Sequence, residues 1–72
     1  MQEKVVAHIT GTVWKIECRT GDTVKEGDVL VILESMKMEL PIEAPKAGRV
    51  AEVLVKEGQG VTEGDAVAVL ES

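Results

Sequence analysis

Apolar residues along this chain come in short, β-branched bursts. No segment sustains the 3.6-residue spacing of an amphipathic helix, so the pattern predicts strands throughout. Residues 1–6, ending in Val5-Val6, suit a first strand. Ala7-His8-Ile9-Thr10-Gly11 reads as a turn or crossing segment. A second strand is expected from Thr12 to Arg19, with Val13, Trp14, Ile16 and Cys18 as its apolar positions. Alternation is imperfect between Val13 and Ile16, which predicts a β-bulge there. Gly21 to Asp28 is a loop with glycine near both ends. Val29-Leu30-Val31-Ile32-Leu33 is the longest apolar run and belongs to a strand ending at Ser35. Met38 to Glu43 is again extended. Two extended runs so closely joined predict a β-hairpin with Met36-Lys37 at its tip.

That tip breaks the local rules. Two-residue hairpin turns need positive φ and favour Asn-Gly, Asp-Gly or Gly-X. Met36 and Lys37 are neither. A local conflict of this kind points to a functional constraint. Two readings of the tip stand side by side: a lysine displayed for another protein to modify, and a solvated lysine between two flexible methionines.

After Glu43 the chain begins again. Ala44 to Ser72 matches Ala7 to Ser35 at an offset of 37 without a gap. Gly11/Gly48, Val13/Val50, Gly21/Gly58, Val24/Val61, Glu26/Glu63, Gly27/Gly64, Asp28/Asp65, Leu33/Leu70, Glu34/Glu71 and Ser35/Ser72 are identical pairs. An internal repeat fixes architecture. Two copies are too few for a solenoid and predict a closed assembly with two-fold symmetry. The offset maps Ser35 to Ser72 and Met38 to Met1. The symmetry mate of the Lys37 turn is therefore the gap between the chain ends. The termini are expected to lie close together, at the end of the domain opposite Lys37. Gly21, Gly27, Gly58 and Gly64 are expected to supply positive φ or close backbone approach in equivalent turns.

Composition narrows the function classes. The chain has 72 residues, 44% of them hydrophobic, with one Trp and no Phe or Tyr. It forms one domain, residues 1–72, with an aliphatic core. The formal net charge is −5 and no basic stripe is visible, which argues against nucleic acid as the main partner. No apolar run approaches the length of a membrane span. Cys18 is the only cysteine, so an internal disulfide is impossible, and one Cys with one His cannot build the usual zinc ligand sets. The first residues lack the pattern of a secretory signal. A reducing, cytoplasmic setting is the expectation.

Lysines 4, 15, 25, 46 and 56 stand beside acids or at loop edges, as solvated lysines do. Lys37 stands apart, at the tip between the halves with a thioether on each side. A lysine acts as a nucleophile by itself when burial or nearby cations activate it. Its charged neighbours, Glu34 and Glu39, are acids, and no acid–base–pocket constellation accompanies it. His8 has no adjacent nucleophile and matches Pro45, so it reads as a turn residue. Cys18 matches Val55 and reads as a small core residue. An exposed lysine can instead accept an acyl cofactor from an activated adenylate held by a separate ligase. The resulting arm, roughly a dozen bonds long, reaches about 14 Å from Cα. The domain then carries chemistry that the cofactor performs.

Glu34-Ser35-Met36-Lys37-Met38-Glu39-Leu40-Pro41-Ile42 resembles the biotin attachment motif of biotin carboxyl carrier domains, members of the biotinyl/lipoyl attachment family. The resemblance extends to the paired loops Gly21 to Asp28 and Gly58 to Asp65, and so to essentially the whole chain. It implies an all-β fold, a flattened barrel or sandwich of two four-stranded antiparallel sheets with quasi-two-fold symmetry. It implies a non-catalytic carrier with biotin attached covalently to Lys37. Met36 and Met38 are then read by biotin protein ligase, with Glu34, Ser35 and Glu39 as flanking turn residues. The biotin carries carboxyl groups between biotin carboxylase and carboxyltransferase subunits or domains. Departures from the family pattern are Ser35 where Ala is usual, His8 where many members have Pro, and Gln59-Gly60 where the first half has Asp22-Thr23. The thumb insertion of some bacterial carriers is absent. No Ala/Pro-rich linker precedes the domain, which fits either a free-standing carrier or a domain cut from a longer protein. Two alternatives share the fold. A lipoyl carrier, with lipoate on the lysine, usually shows an acid beside it, as in Asp-Lys-Ala. An unmodified barrel acting as a docking module has no need of Met-Lys-Met.

Overall fold

The computed structural model describes residues 1–72. Eight strands follow in order: β1 (Gln2–Val6), β2 (Gly11–Ile16), β3 (Thr23–Val24), β4 (Val29–Ser35), β5 (Met38–Glu43), β6 (Gly48–Val53), β7 (Gly60–Val61) and β8 (Ala66–Glu71). They form two four-stranded antiparallel sheets, ordered β1-β8-β6-β3 and β5-β4-β2-β7. Adding 37 to each residue number of β1–β4 generates β5–β8 to within one residue at the strand ends and turns one sheet order into the other. The sequence repeat is thus the symmetry operator of the fold.

The core obeys the same operator. Sixteen residues are buried, and all are hydrophobic. They fall into pairs at the repeat offset: Val5/Ile42, Ala7/Ala44, Val13/Val50, Cys18/Val55, Val24/Val61, Leu30/Val67, Val31/Ala68 and Leu33/Leu70. Aliphatic side chains from both sheets fill one cluster, with Ile16 and Val53 packed at its margin. Cys18 is a buried free thiol, as its match to Val55 predicts.

The expected bulge falls at Trp14, between the pairs Val13↔Leu33 and Lys15↔Ile32, and recurs at Ala51 in β6. A second symmetric pair of bulges, at Leu30 and Val67, has no counterpart in the alternation pattern. Trp14, at the first bulge, is 46% exposed and its mate Ala51 is half-buried, so of this stretch it is Val13 that enters the core. The second strand is shorter than Thr12 to Arg19. It begins at Gly11 and ends at Ile16, where the chain leaves for the turn closed by Asp22. The loop from Gly21 to Asp28 contains the two-residue strand β3, and its mate contains β7.

Four turns share one construction. The Asp22, Asp28 and Asp65 carboxylates each accept the backbone N–H three residues back, at 2.9 Å from Arg19, Lys25 and Thr62. Gln59 departs from the Asp pattern, yet its Oε1 accepts the Lys56 N–H at 3.0 Å in the same way. The residue before each is a glycine at φ 88 to 97°. Such a conformation is disfavoured for L-residues and free for glycine.

The chain ends meet as the offset predicts. The Met1 amino group donates to the Ser72 carbonyl at 2.8 Å, and the Ser72 N–H donates to the Met1 carbonyl at 2.9 Å. β4 and β5 run away from the Lys37 turn to the pair Val29↔Glu43. There the chain crosses to Gly48, which lies against Glu71 and Ser72. The termini therefore occupy the far end of a body 33 Å long and 17 Å wide.

Candidate functional site

The hairpin β4–β5 lifts one lysine clear of the body. Ser35 pairs with Met38, leaving Met36 and Lys37 as a two-residue connection. Their φ angles are 52° and 65°, the left-handed values that a type I′ turn demands at both central positions. They are the only non-glycine residues of the chain with positive φ. An L-residue in this region carries a penalty of roughly 1–2 kcal/mol. The turn is held in a geometry its residues do not favour. The strong pairing of the strands behind it supplies the constraint.

Polarity around the tip is as unusual as its backbone. Met36 is 91% exposed and Met38 59% exposed, so two large thioethers stand in water beside the lysine. Lys37 is exposed and takes part in none of the three ion pairs of the fold, which join Lys15–Glu17, Lys46–Glu3 and Arg49–Glu71. Glu34 and Glu39 face each other across the hairpin one step below the tip. Like charges directly opposite on paired strands are destabilising. Ser35 is partly buried beneath the turn and Glu39 is exposed on its flank. All six residues expected from the sequence are therefore contiguous at one end of the molecule.

The other candidates fall away from this end. His8 is exposed and lines an open groove of about 360 Å³ with Glu26, Pro41, Glu43 and Pro45, beyond the far half of β5. No nucleophile lines that groove. Cys18 is buried, and desolvation, followed by the nearby Asp22 carboxylate, pushes its thiol pKa up, away from the reactive thiolate. No group of three or more His, Cys, Asp or Glu side chains is placed to hold a metal ion. No helix is long and apolar enough to cross a membrane.

What the tip can do is accept an acyl group. A primary amine stands in water with no bound partner, and nothing beside it obstructs an arm extending from Nζ. One residue escaped the sequence reading. Gly11 lies under the turn, and its only signal in the chain is identity with Gly48 at the repeat offset.

The sequence pattern of the family described as "Biotin-requiring enzyme", the biotin/lipoyl attachment family, matches residues 1–70. This chain belongs to that family. Among curated members it is 45% identical over 53 residues to the biotin/lipoyl attachment protein of Bacillus subtilis (strain 168), covering 74% of this chain and 73% of that one. To the biotinylated protein TB7.3 homolog of Mycobacterium leprae (strain TN) it is 49% identical over 55 residues, covering 76% and 78%. The urea carboxylase of Kluyveromyces lactis superposes with a TM-score of 0.94 at 39% identity, over 99% of this chain and 6% of that one. The attachment family thus includes small single-domain proteins and minor parts of very long carboxylase chains. Its fold accounts for the paired sheets and the repeat seen here.

Proposed function

We propose that this chain is a biotin carrier and that Lys37 is its attachment residue. The observation that carries the reading is the strained Met36-Lys37 connection, the one place where the backbone departs from what its residues favour. In this reading a biotin protein ligase holds biotinyl-adenylate. The Lys37 Nζ, deprotonated in the ligase site, attacks the acyl carbonyl. The new C–N bond forms, the bond to AMP breaks, and the proton passes to the ligase. One positive charge is lost and an amide arm of about 14 Å reach is gained. Met36 and Met38 provide an apolar grip on either side of the amine. Glu34, Ser35 and Glu39 set the base of the hairpin.

Bound biotin supplies a nitrogen that is carboxylated at one active site and gives up the carboxyl group at another. The protein itself positions and displays. It holds the arm at one end and keeps the chain termini at the other, so attachment to a larger assembly leaves the arm free. Biotin carboxylase and carboxyltransferase domains are the partners this reading assigns. Membership of a family described as biotin-requiring supports biotin as the cofactor. Met36, where lipoyl carriers usually have an acid, supports it over lipoate.

Peptide mapping tests the site. After incubation with a biotin protein ligase, biotin and ATP, the label is expected on the peptide containing Lys37 and on no other. Label distributed over Lys15, Lys46 or Lys56 would refute the assignment.

A further inference from the structure

The Lys37 turn is strained, and something must hold its base in place. Beneath it, β2 runs beside β4, and Thr12 pairs with Glu34. The next residue, Gly11, lies directly under the last step before the turn. A Cβ built on Gly11 would stand 2.7 Å from the Glu34 carbonyl oxygen and 3.3 Å from the Ser35 Cβ. The first distance is shorter than real carbon–oxygen contacts, and the atom it meets is backbone, which cannot swing aside. Gly11 carries no positive φ. Its missing side chain serves close approach, not an unusual backbone.

Resting on the biotin-carrier reading, we infer that Gly11 is a positioning residue: its bare backbone seats Glu34 and Ser35 so that the ligase meets Lys37 in a fixed place. Ser35 shares the task from above, because a small side chain lets the two strands touch. Any atom added at Gly11 pushes Ser35, and Ser35 is the residue that opens the turn. Beyond the Ser35–Met38 pair only the two tip residues remain, so little else anchors the displayed amine. Steps that depend on near-attack geometry are sensitive to shifts of this size.

The repeat supplies a control within the same molecule. Gly48 is the symmetry mate of Gly11, and a Cβ there would stand 2.8 Å from the Glu71 carbonyl oxygen. That contact lies beside the termini, at the far end from Lys37. Gly11→Ala and Gly48→Ala are thus matched insults to the fold, and one of them touches the site.

The experiment compares both variants with the parent for thermal stability, for the amide chemical shifts of Met36 to Met38, and for biotinylation by a biotin protein ligase. Both are expected to melt lower by similar amounts. Gly11→Ala should move the three amide shifts and lower ligase kcat/KM by about tenfold or more. Gly48→Ala should leave the shifts in place and kcat/KM within about twofold of the parent. Reaction of Lys37 with free biotinyl-adenylate, which asks only for an exposed amine, should be equal in all three proteins. If Gly11→Ala unfolds in buffer, all arms are run in sucrose, which favours the compact state. Equal ligase losses in both variants, or unmoved tip shifts in Gly11→Ala, overturn the inference. A parent chain that takes no biotin would refute the carrier reading, while the shifts would still decide whether Gly11 positions the turn.

Discussion

Replacing Met36-Lys37 by Asn-Gly should make this protein more stable and useless as a carrier. Both residues sit at positive φ, 52° and 65°. Each carries a penalty on the order of 1 kcal/mol that Asn and Gly largely escape. Glycine returns part of the gain, about 0.5–1 kcal/mol, by adding freedom to the unfolded chain. The net expectation for Met36→Asn/Lys37→Gly is a stabilisation of about 1 kcal/mol. For a domain of this size that is a rise in Tm of roughly 4–8 °C. Met36→Asn alone keeps the lysine and, with no glycine entropy to offset it, should give most of that gain. The assay is thermal unfolding followed by circular dichroism and by Trp14, the only aromatic residue. A Tm equal to or below that of the parent in the double variant would refute the claim that the turn stores strain. A rise would show stability given up where the function sits.

Gly27→Val and Gly64→Val should each destabilise by about 1–2 kcal/mol. Nothing lies within 4 Å of the added Cβ at either site, so the effect comes from positive φ alone. Gly27→Asn should recover much of the loss, and valine variants melting like the parent would contradict the turn assignment. Cys18 should make stability depend on pH in the alkaline range. Burial raises the folded thiol above its ordinary value, so the unfolded chain loses its proton first. Stability is then full below about pH 8.5 and falls as pH rises towards the folded pKa. Cys18→Val, which copies its mate Val55, should remove that slope, and an unchanged slope in denaturant titrations at several pH values would show that another group is responsible. Alkylation of the native thiol near neutral pH should likewise be slow and become fast only on unfolding.

Much of this was legible in the sequence, because the repeat turns one prediction into two. The glycines at 21, 27, 58 and 64, the hairpin over Val29 to Glu43 and the meeting of the termini all follow from pattern and offset. The bulge near Val13 was visible as broken alternation. The bulges at Leu30 and Val67 were not. They fall in continuous apolar runs, where a skipped residue leaves no mark in the hydrophobic pattern. Trp14 sits at the bulge that the broken alternation marks, but the pattern does not say which way its side chain faces. β3 and β7 are two residues each, too short for periodicity, and exist only because β6 and β2 offer them an edge. The Lys37 tip was legible as a contradiction, since hairpin spacing demanded positive φ where the residues opposed it. Gly11 could not be told from a turn glycine. Its role depends on the distance to Glu34 in another strand, which no local signal encodes.

The proposed carrier function rests on one amine. Its most direct test is the intact mass of the parent and of Lys37→Arg, each produced with a biotin ligase and biotin and, in parallel, with a lipoate ligase and lipoate. Arginine keeps the charge and lacks the primary amine. One biotinyl group is expected on essentially every parent molecule, none on Lys37→Arg, and the same folded spectrum for both. Biotin retained by Lys37→Arg, or a parent that takes lipoate and no biotin, would contradict that function.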